Sequence, residues 1–239
     1  MKRIILILSA AAITLNASAA MIKGSVKDTE GRPVAGVVVT DGLNTVKTDA
    51  KGRFRMDADD DSRFVYISTP SGYVSATLEG KTLFYKEISE DIRKYDFIVR
   101  KNEKDDASHN LIVIADPQIS ERSELPELQK HADDITAFVG QYDKDYTFGL
   151  CLGDIVGWDH SIYPEYNRIM NGSGVEYRYV IGNHDMTNYG RSFETSMKNY
   201  EDMYGPCWYS FNVGNVHYIV LNNNFYVGRD YFYIGYIDE

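Results

Sequence analysis

The sequence predicts two structural units in series: an all-β sandwich, then an α/β unit built on a parallel sheet. Three observations carry this expectation. Residues 22–100 break into short strand-like runs separated by Gly and Asp turns. Residues 101–108, KNEKDDAS, are polar and mark a linker. From residue 110 onward, apolar runs alternate with segments of helical spacing. That βαβαβ order implies a parallel sheet whose ligands gather beyond the C-terminal ends of its strands.

The first twenty residues are expected to be removed. Met1-Lys2-Arg3 is basic, Ile4 to Leu15 is apolar, and Ala17-Ser18-Ala19 offers a cleavage site after Ala19, or after Ala20 one residue on. Twelve residues reach only about 18 Å as a helix, short of a bilayer core of about 30 Å, so the pattern predicts a cleavable signal peptide and a periplasmic or secreted chain. No Cys follows the cleavage region to suggest a lipid anchor, and no transmembrane anchor is expected.

In the β unit, Ile22–Val26 leads to a turn at Asp28–Pro33, Val37–Val39 to Asp41-Gly42, and Val46–Thr48 to Asp49–Gly52. Phe54 and Met56 alternate with Arg53, Arg55 and Asp57, and Phe64–Ile67 runs into Pro70-Ser-Gly72. Asp57, Asp59, Asp60 and Asp61 lack the Gly and distal Glu of a calcium loop and read as a solvated acidic turn. The strings Gly24-x-Val26-x-Asp28-x-x-Gly31-x-Pro33-Val34-x-Gly36-Val37 and Thr48-Asp49-x-x-Gly52-x-Phe54 resemble the carboxypeptidase-regulatory-like, immunoglobulin-type modules that precede many secreted enzymes.

In the α/β unit, Leu111–Ala115 reads as a strand buried on both faces, and 126–142 as a helix with Pro126 near its start. Tyr146–Leu152 is the second strand, 161–171 the second helix, Glu176–Ile181 the third strand and 191–204 the third helix. A hairpin follows, from Trp208 to Leu221. Cys151 and Cys207 are too few for a disulfide framework. Cys151 reads as a small buried hydrophobe, although export would permit the two to bridge.

Three strings stop at predicted strand ends: Asp116-Pro117-Gln118, Gly153-Asp154, and Gly182-Asn183-His184-Asp185. Carboxylates, amide oxygens and imidazole suit Mn, Fe or Zn, and no cysteine cluster suggests a structural zinc site. Alone, each has an ordinary reading as a strand-end turn or helix cap. Asp159 and His160 read as a solvated loop, and His109, His131 and His217 as linker, helix and strand residues rather than ligands. The aromatic group Phe225, Tyr226, Tyr231–Tyr233 and Tyr236 has two readings, a pocket wall or loop packing.

Taken in order, the strings resemble the calcineurin-like metallophosphoesterases, the group that includes purple acid phosphatases. Residues 109–239 resemble the N-terminal portion of that domain, with Gln118 where most members have His. The Tyr209–Leu221 stretch resembles the family's hairpin. The resemblance implies an α/β/β/α sandwich and two divalent or trivalent metal ions. It implies that Asp154 bridges the metals, that Asp116 and Gln118 complete one, and that Asn183 binds the other. His184 would contact the phosphoryl group and protonate the leaving oxygen, with Asp185 orienting its ring, while Asn183 and His184 hold a small phosphate ester. A hydroxide activated between the metals would attack. Phosphomonoester, phosphodiester and pyrophosphate hydrolysis all use such a core.

Relatives add later histidine motifs that this sequence does not contain, so the chain is expected to be a piece of a longer enzyme, with an incomplete site, weak metal affinity and an unpaired sheet edge. The alternative expectation is a non-catalytic surface or binding protein. Loss of Lys2 and Arg3 moves the net charge from −10 to −12. So acidic a chain disfavours nucleic-acid binding.

Overall fold

The structure is a computed structural model that describes residues 21–233, apart from 79–80, 143, 188–189 and 228–229. The signal-peptide expectation, Tyr236 and the side chains of Tyr226 and Tyr231–Tyr233 lie outside the described residues. Among the described residues, no helix is long and apolar enough to cross a membrane.

The strands of the first region are β1 (Met21–Asp28), β2 (Val38–Thr40), β3 (Thr45–Lys47), β4 (Arg53–Asp57), β5 (Phe64–Ile67), β6 (Tyr73–Ser75), β7 (Thr77–Leu78), β8 (Lys81–Thr82), β9 (Tyr85–Glu87) and β10 (Tyr95–Lys101). They form one sheet in the order β4-β1-β10-β6 and another in the order β3-β2-β5-β9, while β7 and β8 pair separately. Alternation selects the inward faces: Phe54 and Met56 of β4 are buried while Arg53, Arg55 and Asp57 are exposed. Ile22 and Val26 of β1, Val39 of β2 and Phe64–Ile67 of β5 join one apolar cluster. Gly24 is required where β1 meets β10, since a Cβ there would stand 1.8 Å from the Tyr95 carbonyl oxygen.

Beyond Lys101 come β11 (His109–Ile114), α1 (Leu125–Val139), β12 (Tyr146–Cys151), α2 (Tyr163–Asn171), β13 (Glu176–Tyr179) and α3 (Phe193–Tyr204). The strands pair in parallel in the order β11-β12-β13. A hairpin of β14 (Tyr209–Val213) and β15 (Val216–Val220) follows, then one of β16 (Asn224–Val227) and β17 (Asp230–Tyr233). Pro lies at the start of both α1 and α2, where its missing N–H costs nothing. Ser192 caps α3, its hydroxyl accepting from the Thr195 N–H at 3.2 Å.

The parallel sheet has different partners on its two faces. Cys151, Tyr177 and Tyr179 cluster with Tyr166, Met170 and Tyr200 from the helices. On the other side, Phe148 joins Phe211, Val213 and Val220 of the hairpin in the apolar cluster of the first region. The core therefore does not stop at the polar segment 101–108. Polar contacts reinforce this junction. The Arg178 guanidinium lies over Phe84 at 4.8 Å and over Phe211 at 5.0 Å. Arg63 pairs with Glu87 on β9 at 3.3 Å and with Glu201 on α3 at 2.8 Å, and also with Asp202.

One expectation changes. β11 is not buried on both faces: Ile114 packs on the helix-side cluster, whereas Leu111 and Val113 are 37% and 52% exposed. β11 is one edge of its three-stranded sheet, and its Leu111 and Val113 lie outside the apolar cluster that holds Phe148. Cys151 and Cys207 are both buried free thiols, and Cys151 is the small buried hydrophobe that its strand pattern predicts. Burial pushes the Cys151 thiol up to about 12, as expected of an inert core cysteine.

Candidate metal centre

The three strand-end strings meet at one edge. β11 ends at Ile114, β12 at Cys151 and β13 at Tyr179, and ladder-like bonds continue just past them. The Leu152 N–H donates to the Ile114 carbonyl at 2.8 Å, and the Val180 N–H to the Cys151 carbonyl at 2.8 Å. Beyond these, the Gln118 N–H donates to the Asp154 carbonyl at 2.8 Å, and Ile119 bridges to Val156 in parallel. The loops after β11 and β12 are thus zipped together.

Backbone conformation singles out three of the four expected ligands. Among the described residues, only three non-glycines have positive φ: Asp116 at 49°, Gln118 at 42° and Asp154 at 50°. A left-handed non-glycine costs on the order of 1 kcal/mol or more and persists where surrounding contacts over-determine it. Here that strain is concentrated at three positions of one strand edge.

Two glycines allow the close approach. Gly153 has φ +92°, and a Cβ on it would lie 2.7 Å from the Gly182 nitrogen. A Cβ on Gly182 would lie 2.0 Å from Asp154 Oδ1 and 2.2 Å from the Asp154 nitrogen. Into that space fits the Asp154 carboxylate, buried at 6% exposure. Its Oδ1 accepts the His184 N–H at 3.0 Å and its Oδ2 accepts the Gln118 side-chain amide at 2.8 Å. Asp154 is therefore the hub joining all three strings. Asn183 is also buried, whereas Asp116 and Gln118 are exposed, which leaves one side of the cluster open.

Asp185 departs from its expected role. It is fully buried, and its carboxylate accepts the Gly182 N–H at 2.8 Å, the Ile155 N–H at 3.1 Å and the Tyr163 hydroxyl at 2.9 Å. None of these partners is the His184 ring. Asp185 ties the third loop to the second and to α2, because those buried backbone donors have greater need of an acceptor. Burial pushes its carboxyl up to about 7, with Asp154 also raising it, against the lowering by the Gly182, Tyr163 and Ile155 donors.

His184 is held differently. Its ring lies 4.3 Å from that of Trp158, and its Nδ1 is buried without a hydrogen-bond partner among the described residues. His160, expected in a solvated loop, supports the same turn. Its Nε2–H donates to the His184 carbonyl at 2.9 Å while its Nδ1 accepts from the Asn199 amide at 2.9 Å. The ring stacks on Tyr163 at 5.2 Å, and burial lowers its pKa, which suits the neutral tautomer that these two bonds require. The available signal was weak, a single His six residues after Asp154. His109 opens β11 and bonds Tyr218 at 2.6 Å, and His217 bonds Asn212 at 2.8 Å.

The donor set can hold hard or borderline cations. Asp154 offers two oxygens at the junction, Asp116 an exposed carboxylate, and Gln118 and Asn183 amide oxygens. Among the described residues, no group of three or more His, Cys, Asp or Glu is placed to hold a metal ion. The candidate set has only two members of those types, with amides completing it.

A search of curated proteins finds none that matches the chain. Residues 20–102 match the family model described as the N terminal of Calcineurin-like phosphoesterase. The matched segment is the β-rich region of β1 to β10, and the strand-end strings lie outside it. The match supports the calcineurin-like phosphoesterase family, which suggests a hydrolase in general and whose members generally use a dinuclear metal centre.

Proposed function

We propose that the chain is a secreted, metal-dependent phosphoesterase whose strand-end edge binds cations and a phosphate ester. The coincidence that carries this reading is the strain at Asp116, Gln118 and Asp154, three of the four residues that the strings nominate as ligands. Asp116, Gln118 and Asp154 would hold one cation, and Asp154 with Asn183 a second. Bound cations would supply Lewis-acid polarisation of the phosphoryl oxygens and charge neutralisation.

The chain's own residues do the rest. The Asp154 carboxylate fixes the His184 backbone at 3.0 Å. Trp158 packs on the imidazole, and His160 braces the carbonyl of the same residue. An imidazole so held is suited to exchanging a proton with a leaving oxygen. Asp185 positions the Gly182–His184 turn rather than tuning the ring. The region of β1 to β10 is proposed to be an immunoglobulin-type module that shares its core with the parallel sheet.

The test is hydrolysis of an aryl phosphate ester by the purified chain, with and without added Mn or Zn. Few protein ligands converge, so turnover is expected to be low, metal-dependent and abolished by Asp154→Ala. The small number of acidic and imidazole ligands also favours a second reading, a non-catalytic binding protein on the same scaffold. That reading gains if metal binds through Asp154 without any hydrolysis.

A further inference from the structure

Trp158 stands at the edge of the candidate metal centre and is 41% exposed. Its backbone is held on both sides. The Gly157 N–H donates to the Ile119 carbonyl at 2.9 Å, and a Cβ on Gly157 would lie 2.6 Å from Ser120 Oγ. After it, Asp159 caps the following turn, its carboxylate accepting the Ser161 N–H at 3.1 Å. The indole therefore has a fixed place at the end of the zipped loops.

That place is against the imidazole of His184, with ring centres 4.3 Å apart and planes tilted by 38°. Indole is the larger ring, so its face runs on past the imidazole. His184 Nδ1 is buried, which leaves Nε2 as the nitrogen that an ester oxygen could approach. An imidazole exchanges its proton within its own plane, with the partner oxygen about 2.6–3.2 Å away. The indole covers a face of the imidazole and does not block that plane. The carbons attached to a leaving oxygen therefore start beside the exposed indole.

We infer that Trp158 is a platform for the leaving group, so that the site takes phosphate esters of aromatic alcohols in preference to alkyl esters; this rests on the proton-exchange role proposed above for His184. A planar ring on the ester oxygen stacks on the indole and takes apolar surface of both out of water. A methyl group in the same position leaves most of the indole wet.

The test measures binding of phenyl phosphate and of methyl phosphate to the full chain in excess Mn(II), by calorimetry. Phenyl phosphate should bind about tenfold tighter than methyl phosphate. The readout is the ratio of the two, because a general loosening of His184 weakens both esters and cancels. Trp158→Ala should bring the ratio close to one, and Trp158→Phe should retain a severalfold preference. The chain has two tryptophans, so Trp208→Phe leaves Trp158 as the single indole emitter. In that variant phenyl phosphate should change the indole emission saturably and methyl phosphate should not, which tests the contact even if Trp158→Ala fails to fold. Equal affinity for the two esters, a ratio unchanged in Trp158→Ala, or emission indifferent to phenyl phosphate would each overturn the role of Trp158 and leave the phosphoesterase reading standing. Binding of neither ester would overturn both.

Discussion

Replacing Asp185 by leucine should be among the most destabilising single changes in the chain. The carboxylate accepts three donors in a fully buried setting: the Gly182 N–H at 2.8 Å, the Ile155 N–H at 3.1 Å and the Tyr163 hydroxyl at 2.9 Å. Each buried donor left without an acceptor costs about 1–3 kcal/mol. Removing a strongly desolvated carboxyl returns part of that, so the net loss should be roughly 3–5 kcal/mol, against a typical total of about 5–15 kcal/mol. Asp185→Asn keeps one acceptor oxygen and should lose only about 1–3 kcal/mol, and Tyr163→Phe about 1 kcal/mol. Urea unfolding followed by far-UV circular dichroism measures all three. An Asp185→Leu variant within about 1 kcal/mol of the parent would refute the assignment of Asp185 as the tie between the strand-end loops.

Gly182→Ala places a methyl 2.0 Å from Asp154 Oδ1 and 2.2 Å from the Asp154 nitrogen, so one loop must move. A loss of about 1–3 kcal/mol is expected, together with weaker metal binding by calorimetry. Residues 103–239 expressed alone should bind a hydrophobic dye and lack a cooperative melt, because Phe148, Phe211, Val213 and Val220 lose the cluster that covers them. Asp41 gives a pH signature. Burial raises its pKa, but the Asn44, Asp59 and Leu43 donors outweigh burial and hold it below the ordinary carboxyl value. Its stabilisation is therefore present above the ordinary pKa and lost as pH falls through the depressed one. Asp41→Asn should cost more stability near pH 7 than near about pH 3 in paired urea melts.

Much of the architecture can be read from local pattern. Pro126 and Pro164 stand in the first turns of α1 and α2, and Gly205-Pro206 closes α3, because these residues act on their own backbone. The chemical types of Asp116, Gln118, Asp154 and Asn183 likewise mark them as candidate ligands. What could not be read depends on distant partners. His160 meets a carbonyl 24 residues away, and Asp185 turns to Ile155 and Tyr163 rather than to its neighbour His184. The apolar run Leu111–Ala115 suggested two buried faces, but the apolar cluster that holds Phe148 does not include Leu111 and Val113, which are exposed. The polar segment 101–108 suggested separate units, whereas Phe148 and Phe211 carry one core across it.

The central claim is that Asp116, Gln118, Asp154 and Asn183 together bind a cation. Titration of the chain with Mn(II), read by loss of the free-ion paramagnetic resonance signal, tests it most directly. Saturable binding is expected in the weak range, with a Kd of roughly 10⁻⁵ to 10⁻³ M, because amides replace charged ligands in the set. Asp154→Ala should abolish it and Asp116→Ala should weaken it about tenfold, with both variants still folded by circular dichroism. Mn(II) binding of unchanged strength in the Asp154→Ala variant would contradict the account.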